Sequence, residues 1–445
     1  MKLSSKTKAS LLLIGDIIAL YTALILTLFI RYGGNFYEEF IGGHLAPFSF
    51  VFVLWIIVFY IAGLYDLPRL RNNIDFLKTL ALALAVNALL TIALFYLIPV
   101  FGIAPRRNLF IFLIVFTVIE AWWRQNFNIR ASFREGLNKI LLLGEGPRIN
   151  EIAETLGKNP QIGYEIRLWL KKGLADPESG HLHELVKTHH INLIVIPSEL
   201  KKNLKLTKAF YELLASGVEI VDFPSFYELV FRKLPLADLE EAWFLENKIG
   251  QKKFYDDLKR GLEFVAGCVI GIVLLPLELL IAILIKITSP GAVIYKQARI
   301  GIWNESFVLY KFRTMREDAE KDGPQWADTK DNRTTFIGGF LRYTHLDELP
   351  QLVNVIKGEL SFVGPRPERP EFVALLEKEI PHYKIRHLIQ PGITGWAQIN
   401  YRYGASVDDT QEKLQYDIYY LKNRSLILDC AIILKTFKSF FINQK

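Results

Sequence analysis

Four long apolar stretches fill the first quarter of this chain, roughly 10–30, 46–64, 76–98 and 108–123, and they restrict its fold more than any later feature. A helix needs about 20 apolar residues to cross a bilayer, and each stretch comes near that length. The first is expected not to be a cleavable signal peptide, because it runs too long and has no small-residue cleavage site. Lys2, Lys6 and Lys8 precede the first stretch, Arg69, Arg71 and Lys78 surround the turn after the second, and Arg124, Arg130, Arg134 and Lys139 follow the fourth. The opposite side holds only Arg31, Arg106 and Arg107. Lys and Arg concentrate on the cytoplasmic side, so the N-terminus and everything after residue 124 are expected there. Asp16 and Asn87 lie inside spans. An intramembrane acid is a functional candidate, with packing against a neighbouring helix as the structural alternative.

The chain has 445 residues, long enough for two or three domains, and a formal charge of +7. That excess suits nucleic acid or an anionic membrane. Because the basic residues flank apolar segments, the membrane is favoured and no nucleic-acid partner is expected. Cys268 and Cys430 sit in apolar runs, so they form no disulfide framework and read as buried thiols in a reducing compartment.

From 139 to 223 short β runs alternate with helical ones. "KILLLG", "YEIRLWL", "INLIVIP" and "GVEIVDF" read as strands of a small Rossmann-like parallel α/β domain, placed at 136–225, with a linker at 226–254. The turn "GEGPRIN" carries only the first two glycines of a dinucleotide fingerprint, and Lys171 and Lys172 stand where an acid is needed. That argues against NAD, with a structural or regulatory domain as the default. "HLHELVKTHH" (181–190) has four histidines but no tight ligand spacing, so a solvated helix is preferred to a metal site.

Residues 262–285 are again long enough to span. Yet Lys248, Lys252, Lys253, Lys259 and Arg260 precede them, and Lys286, Lys296 and Arg299 follow, so both flanks read as cytoplasmic. Pro276 removes a backbone hydrogen bond from the middle and bends a helix there. A helix that enters, kinks near Pro276 and returns satisfies both observations; a fifth span is the alternative.

The block that follows opens with "GAVIYKQARIGIWNESFVLYKFRTM" (291–315), whose alternation and central turn predict a β-hairpin. Lys296, Arg299, Lys311, Arg313 and Arg316 gather beside the membrane, suiting a phosphate-rich ligand or lipid headgroups. Arg333, Arg342 and Arg366 follow, and "HLDELPQL" (345–352) sets Asp347 beside Glu348. Pro350 is tolerated only in a first helical turn, so a helix is expected to begin near Asp347, making it a plausible N-cap. Neighbours on a helix diverge by about 100°, so the two carboxylates cannot clamp one bond as a glycosidase pair does. They can divide two roles, one attacking phosphorus and one holding a metal, or simply cap and solvate the helix.

"GAVIYKQARIG", "YKFRTM", "LDELPQLVNVIKGELSFVGPRP" and "QPGITGWAQINYRYGAS" resemble, nearly word for word, the bacterial polyprenyl-phosphate sugar-phosphate transferases, the large monotopic phosphoglycosyl transferases that initiate exopolysaccharide and O-antigen synthesis. The resemblance is close over roughly 255–445 and looser before it. It implies that Asp347 attacks the β-phosphate of a UDP-sugar, releases UMP and holds a sugar-phosphoryl intermediate. Undecaprenyl phosphate then takes the sugar phosphate, giving undecaprenyl-diphosphate-sugar. It implies Mg²⁺ at Glu348, and phosphate or nucleotide contacts from Lys311, Arg313, Arg342 and Arg366, with Pro367 framing Arg366 and Asp417 as a weaker candidate. It also implies a re-entrant helix hinged at Pro276, a mostly helical catalytic domain, membrane lipid as a partner, and residence in the bacterial inner membrane with catalysis on the cytoplasmic face. A homo-oligomer is left open.

One position departs from the pattern: His345 stands where the family commonly has Ser, and it receives no role. The expected fold is therefore a multi-pass membrane protein of α+α/β class: four transmembrane helices (1–124), the α/β domain, and a catalytic domain (255–445). "EFVALLEKEIPHYKIRHLI" and "YDIYYLKNRSLILDCAIILKTFKSFF" read equally as interfacial or as core helices. Two rival functions have sequence requirements. A membrane-bound nucleotide-sugar dehydratase needs a second Rossmann repeat and a Tyr-x-x-x-Lys pair, which the C-terminal block lacks. A non-catalytic assembly scaffold has no need of the intact acids and arginines. The sugar itself is not legible.

Overall fold

The computed structural model describes residues 5–66, 73–97, 106–131, 137–171, 179–247, 249–250, 252–316, 333–401 and 406–442. Lys2, Arg69, Arg71, Arg134, Lys172 and Lys248 of the charge pattern lie outside them. The chain divides into two compact units, Met1–Phe226 and Tyr227–Lys445.

In the first unit, α1 (Ser5–Tyr32), α2 (Leu45–Ala62), α3 (Ile74–Leu97) and α4 (Arg106–Ala131) coincide with the four apolar stretches. Among the described residues, four segments are long and apolar enough to cross a membrane: Thr7–Ala62, which holds both α1 and α2, Phe76–Phe95, Asn108–Ile129 and Lys253–Thr288. The bundle closes on aromatic rings, with Phe112 lying 5.6 Å from each of Phe48, Phe52 and Trp55. Offset and edge-on ring pairs of this kind add to plain apolar burial.

Asp16 takes the structural course. Its carboxylate accepts from Tyr65 OH at 2.7 Å, from Trp123 Nε1 at 3.1 Å and from Arg124. Arg124 also donates to Glu120 Oε1 at 2.7 Å and to the Leu64 carbonyl at 2.6 Å. One guanidinium thus ties α1, α4 and the loop after α2, with its charge paired and hydrogen-bonded as burial away from water requires.

The rest of this unit is a parallel sheet of β1 (Asn138–Leu143), β2 (Tyr164–Leu170), β3 (Leu193–Ile196) and β4 (Glu219–Asp222), in the order β2-β1-β3-β4. Central β3 is buried along its whole length and reads as a continuous apolar run, as parallel strands covered on both faces do. After β1, Gly144 has φ +96°, and a Cβ there would stand 2.9 Å from the Pro197 ring. This glycine of the degraded fingerprint serves a tight turn and close packing.

The second unit is mostly helical. It comprises α5 (Lys253–Thr288), the hairpin β5 (Ile294–Ile300) and β6 (Ser306–Phe312), and α6 (Phe336–Thr344). A 3₁₀ turn (Leu346–Gln351), α7 (Leu352–Lys357), β7 (Ser361–Val363), α8 (Pro370–Glu379), β8 (Gly392–Thr394), α9 (Val407–Asn423) and α10 (Leu426–Ile442) complete it. Residues 226–254, expected as a linker, are part of its core: Leu234, Leu236, Trp243 and Phe244 pack with Val373, Leu376 and Ile418. Their apolar side chains have no other place to leave water. The same contacts make α8 and α9 core helices. On α10, Ile432 is buried whereas Ile427 is 84% exposed. The cysteines are less buried than expected, Cys268 partly and Cys430 not at all.

The α5 helix is longer than the apolar segment 262–285 and runs without interruption through Pro276. Its 36 residues span about 54 Å at 1.5 Å per residue. The extra turns form because the basic start is itself amphipathic. Arg260 donates to the carbonyl of Ile356 at 2.6 Å and to that of Val355, and Lys259 donates to that of Val363 at 2.7 Å. At the far end Leu277, Ile281 and Ile285 pack with Phe312, Leu341 and Leu346. Both ends of α5 are therefore held by one block, while Val269, Ile272, Val273 and Leu275 between them stay exposed.

Candidate active site

Three short elements meet at the acid pair. Residue His345 closes α6 in the left-handed conformation, φ 54°, and the chain then enters the 3₁₀ turn that carries Asp347, Glu348 and Pro350. Asp347 therefore does not cap a helix: no side-chain cap bond is made, and α7 starts only at Leu352. Pro350 is accommodated within the tighter turn, two residues before α7 begins. His345, which the sequence left without a part, is the reversal point that separates the two elements.

Hairpin and turn are locked together by a buried asparagine. Asn354 Oδ1 accepts from the Tyr310 backbone at 3.1 Å, and its Nδ2 donates to the Val308 carbonyl at 2.7 Å. This places Lys311, on β6, opposite the acids. On the other side Gly338 lets α6 approach the end of the hairpin, since a Cβ there would lie 1.9 Å from the Thr314 carbonyl oxygen. Arg342, one turn along α6, donates from Nε to Thr314 Oγ1 at 3.0 Å.

The two acids sit in unlike surroundings. Glu348 Oε1 accepts from Lys311 Nζ at 2.7 Å and from Arg366 at 3.1 Å. Burial alone would raise its carboxyl, but those two cations outweigh it and hold Glu348 far below the usual carboxylate range. Asp347 is 7% exposed, and its Oδ1 has no hydrogen-bond partner. Burial, reinforced by the Glu348 charge, pushes its carboxyl up; Lys311, His345 and Arg342 pull the other way without prevailing. Adjacent carboxylates with opposite shifts make one permanent anion and one reactive oxygen donor.

Arg366 is presented by a rigid loop. Its carbonyl accepts from Arg386 at 2.9 Å, and the Pro367 carbonyl accepts from Arg299 at 2.9 Å. Arg386 in turn pairs with Asp417 at 3.0 Å and with the Tyr383 hydroxyl at 2.6 Å. Burial raises the Asp417 carboxyl, with Arg386 opposing, and the pair is almost wholly out of water.

Three of the expected phosphate contacts are thus placed elsewhere. Arg313 is buried, and its guanidinium donates to the Ser289 carbonyl at 2.9 Å. The β6 alternation ends at Phe312, so Arg313 turns away from Lys311 and meets the C-terminal end of α5, where carbonyls need donors. Asp417 lies on the inner face of α9 and acts through Arg386. Pro367 is buried framework. Lys311, Arg342, Arg366, Asp347 and Glu348 do share one neighbourhood. Arg386, Asn354 and Gly338 were not singled out as parts of the site's frame; a polar residue inside an apolar run, as in "LVNVIKG" and "YKIRHLI", hints at Asn354 and Arg386. Arg299, read as one of the basic cluster, holds the Pro367 carbonyl instead.

Mg²⁺ takes oxygen donors, characteristically one or two carboxylates completed by substrate phosphates and water. Among the described residues no group of three or more His, Cys, Asp or Glu could hold a metal. The dyad, with one carboxylate oxygen open, fits an ion that arrives with a diphosphate.

The family described as bacterial sugar transferase matches residues 254–443. The UDP-N-acetylgalactosamine-undecaprenyl-phosphate N-acetylgalactosaminephosphotransferase of Aeromonas hydrophila is 44% identical over 197 residues, 44% of this chain and 47% of its own length. The chain thus spans about half of that relative. A UDP-glucose:undecaprenyl-phosphate glucose-1-phosphate transferase of Klebsiella pneumoniae is 29% identical over 411 residues, 86% of each chain. The exopolysaccharide production protein PSS of Rhizobium leguminosarum bv. phaseoli is 39% identical over 185 residues, 40% of this chain and 92% of its own. The match covers the elements that build the acid pair, its cations and the loop of Arg366, and on that basis this chain belongs to the bacterial sugar transferase family.

Proposed function

We propose that the protein transfers a sugar phosphate from a UDP-sugar to undecaprenyl phosphate, releasing UMP, as the first membrane step in building an exopolysaccharide, O-antigen or capsule. The observation that carries this reading is the split dyad: Asp347 keeps an unpartnered oxygen while Glu348 is neutralised by Lys311 and Arg366. In the first step the Asp347 oxygen bonds to the sugar-bearing phosphorus, and the bond from that phosphorus to the bridging oxygen breaks, expelling UMP. In the second, a phosphate oxygen of undecaprenyl phosphate attacks the same phosphorus, and the aspartyl oxygen leaves as a carboxylate.

Lys311, Arg366 and Arg342 stabilise charge that builds on the phosphates, from positions set before substrate arrives. Mg²⁺, when bound, would neutralise the diphosphate; Glu348 is the residue that would hold it.

We further propose a cytoplasmic-facing catalytic unit seated on a re-entrant α5. Lys259 and Arg260 near its start and Ile281 and Ile285 near its end all pack on the same unit, which supports placing both flanks on one side. The relatives divide between glucose and N-acetylgalactosamine in their names, so the sugar is assigned by assay. UMP release from a panel of UDP-sugars, with undecaprenyl phosphate and Mg²⁺, tests the reading. Asp347→Asn should lower it by roughly 10³-fold or more, and near-normal turnover would exclude Asp347 as nucleophile.

A further inference from the structure

A cavity of about 280 Å³ opens between α5 and α6, lined by Ile281, Leu284, Phe336, Ile337, Phe340 and Leu341. Every one of these side chains is hydrocarbon. Phe336 is 99% exposed and Phe340 60% exposed, so the rim carries large apolar surface that water would not favour. One wall belongs to α5, one of the segments apolar enough to cross a membrane, and the other belongs to the helix that bears Arg342.

The cavity wall shares one apolar cluster with the turn that carries the acid pair. Leu341 precedes Arg342, and its apolar cluster includes Phe312, Leu346 and Leu349, the chain neighbours of Lys311, Asp347 and Glu348. An apolar chamber behind a cluster of cations matches a ligand with an anionic phosphate on a hydrocarbon tail. Size narrows the tail. An apolar cavity of about 150 Å³ holds benzene, so this one has room for about ten carbons, or two isoprene units.

Resting on the transferase reading, we propose that this cavity seats the first two isoprene units of the polyprenyl phosphate acceptor, holding its phosphate towards Arg342 and the dyad. Bulk acyl lipid could occupy an apolar space too, but a wall packed against Leu346 and Leu349, which flank the acid pair, favours a single phosphomonoester head over a bulky glycerolipid.

The test is photolabelling of the full-length protein in nanodiscs with a geranyl phosphate carrying a diazirine on its second isoprene, followed by peptide mapping. Labelling is expected within 336–341 and 281–284, and excess undecaprenyl phosphate should reduce it at least tenfold while phosphatidylglycerol does not. Leu284→Trp, which fills the chamber, should remove the label, and Phe340→Ala, at an exposed rim position, should redistribute it. Label confined to other α5 residues, or equal competition by phosphatidylglycerol, overturns the proposal and assigns the cavity to bilayer lipid. Because the readout is binding, loss of UMP release with labelling intact would count against the transferase chemistry instead.

Discussion

Lys311 Nζ lies 2.7 Å from Glu348 Oε1, and with Arg366 on the same oxygen it sets Glu348 apart from its buried neighbour Asp347. Lysine on the hairpin and glutamate in the turn are 37 residues apart in sequence, yet the bond makes Glu348 a fixed anion and leaves Asp347 as the open oxygen.

The pH dependence follows from that pairing. On the proposed mechanism Asp347 must be ionised to attack, so activity should fall as pH drops through its raised pKa, at higher pH than for an ordinary aspartate. Lys311 favours the ionised form, so Lys311→Met should move the acid limb of kcat/KM further up. A limb that stays in place, or moves down, would show that another group controls it.

Removing Asp417 should act at a distance. Asp417→Asn leaves the Arg386 guanidinium buried beside a neutral partner, a loss of about 3–5 kcal/mol when a buried pair is broken. The melting temperature should fall, and because Arg386 holds the Arg366 carbonyl, KM for the UDP-sugar should rise more than kcat falls. Unchanged KM in the folded variant would reduce Asp417 to a purely structural role.

Packing at Gly338 is strict. With Thr314 O 1.9 Å from a built Cβ, Gly338→Ala must push α6 off the hairpin, an overpacking loss of about 1–3 kcal/mol, visible as a lower melting temperature. Gly339, with open space around the equivalent position, is the control: Gly339→Ala should be close to neutral.

Topology is open to labelling. A cysteine placed at Ala292, after α5, in a chain with Cys268 and Cys430 replaced should react with an impermeant maleimide only in opened cells. Reaction in intact cells would mean that α5 crosses.

Much of this molecule was legible from local pattern. Stretches of about 20 apolar residues became α1 to α4, because a helix satisfies its own backbone wherever neighbouring groups are absent. Alternation between Ile294 and Phe312 became the hairpin, and apolar runs such as Leu193–Ile196 became buried parallel strands. The chemistry-bearing residues stood out by motif: Asp347, Glu348, Lys311, Arg342 and Arg366 do gather.

What sequence left undecided depends on contacts between distant residues. Arg313 and Arg366 were both expected as phosphate contacts, yet Arg366 reaches Glu348 while Arg313 donates to the Ser289 carbonyl at the end of α5. Pro350 implied a helix starting at Asp347; the left-handed turn at His345 instead makes a 3₁₀ segment and turns the aspartate out of a capping position. The linker assigned to 226–254 became core because its apolar side chains found α8 and α9. Local propensity specifies which element a segment prefers and which residues carry charge. Which acid is neutralised, which arginine reaches the acid pair and which glycine admits a neighbouring backbone are set by distances across the fold, and those exist only once the chain has closed on itself.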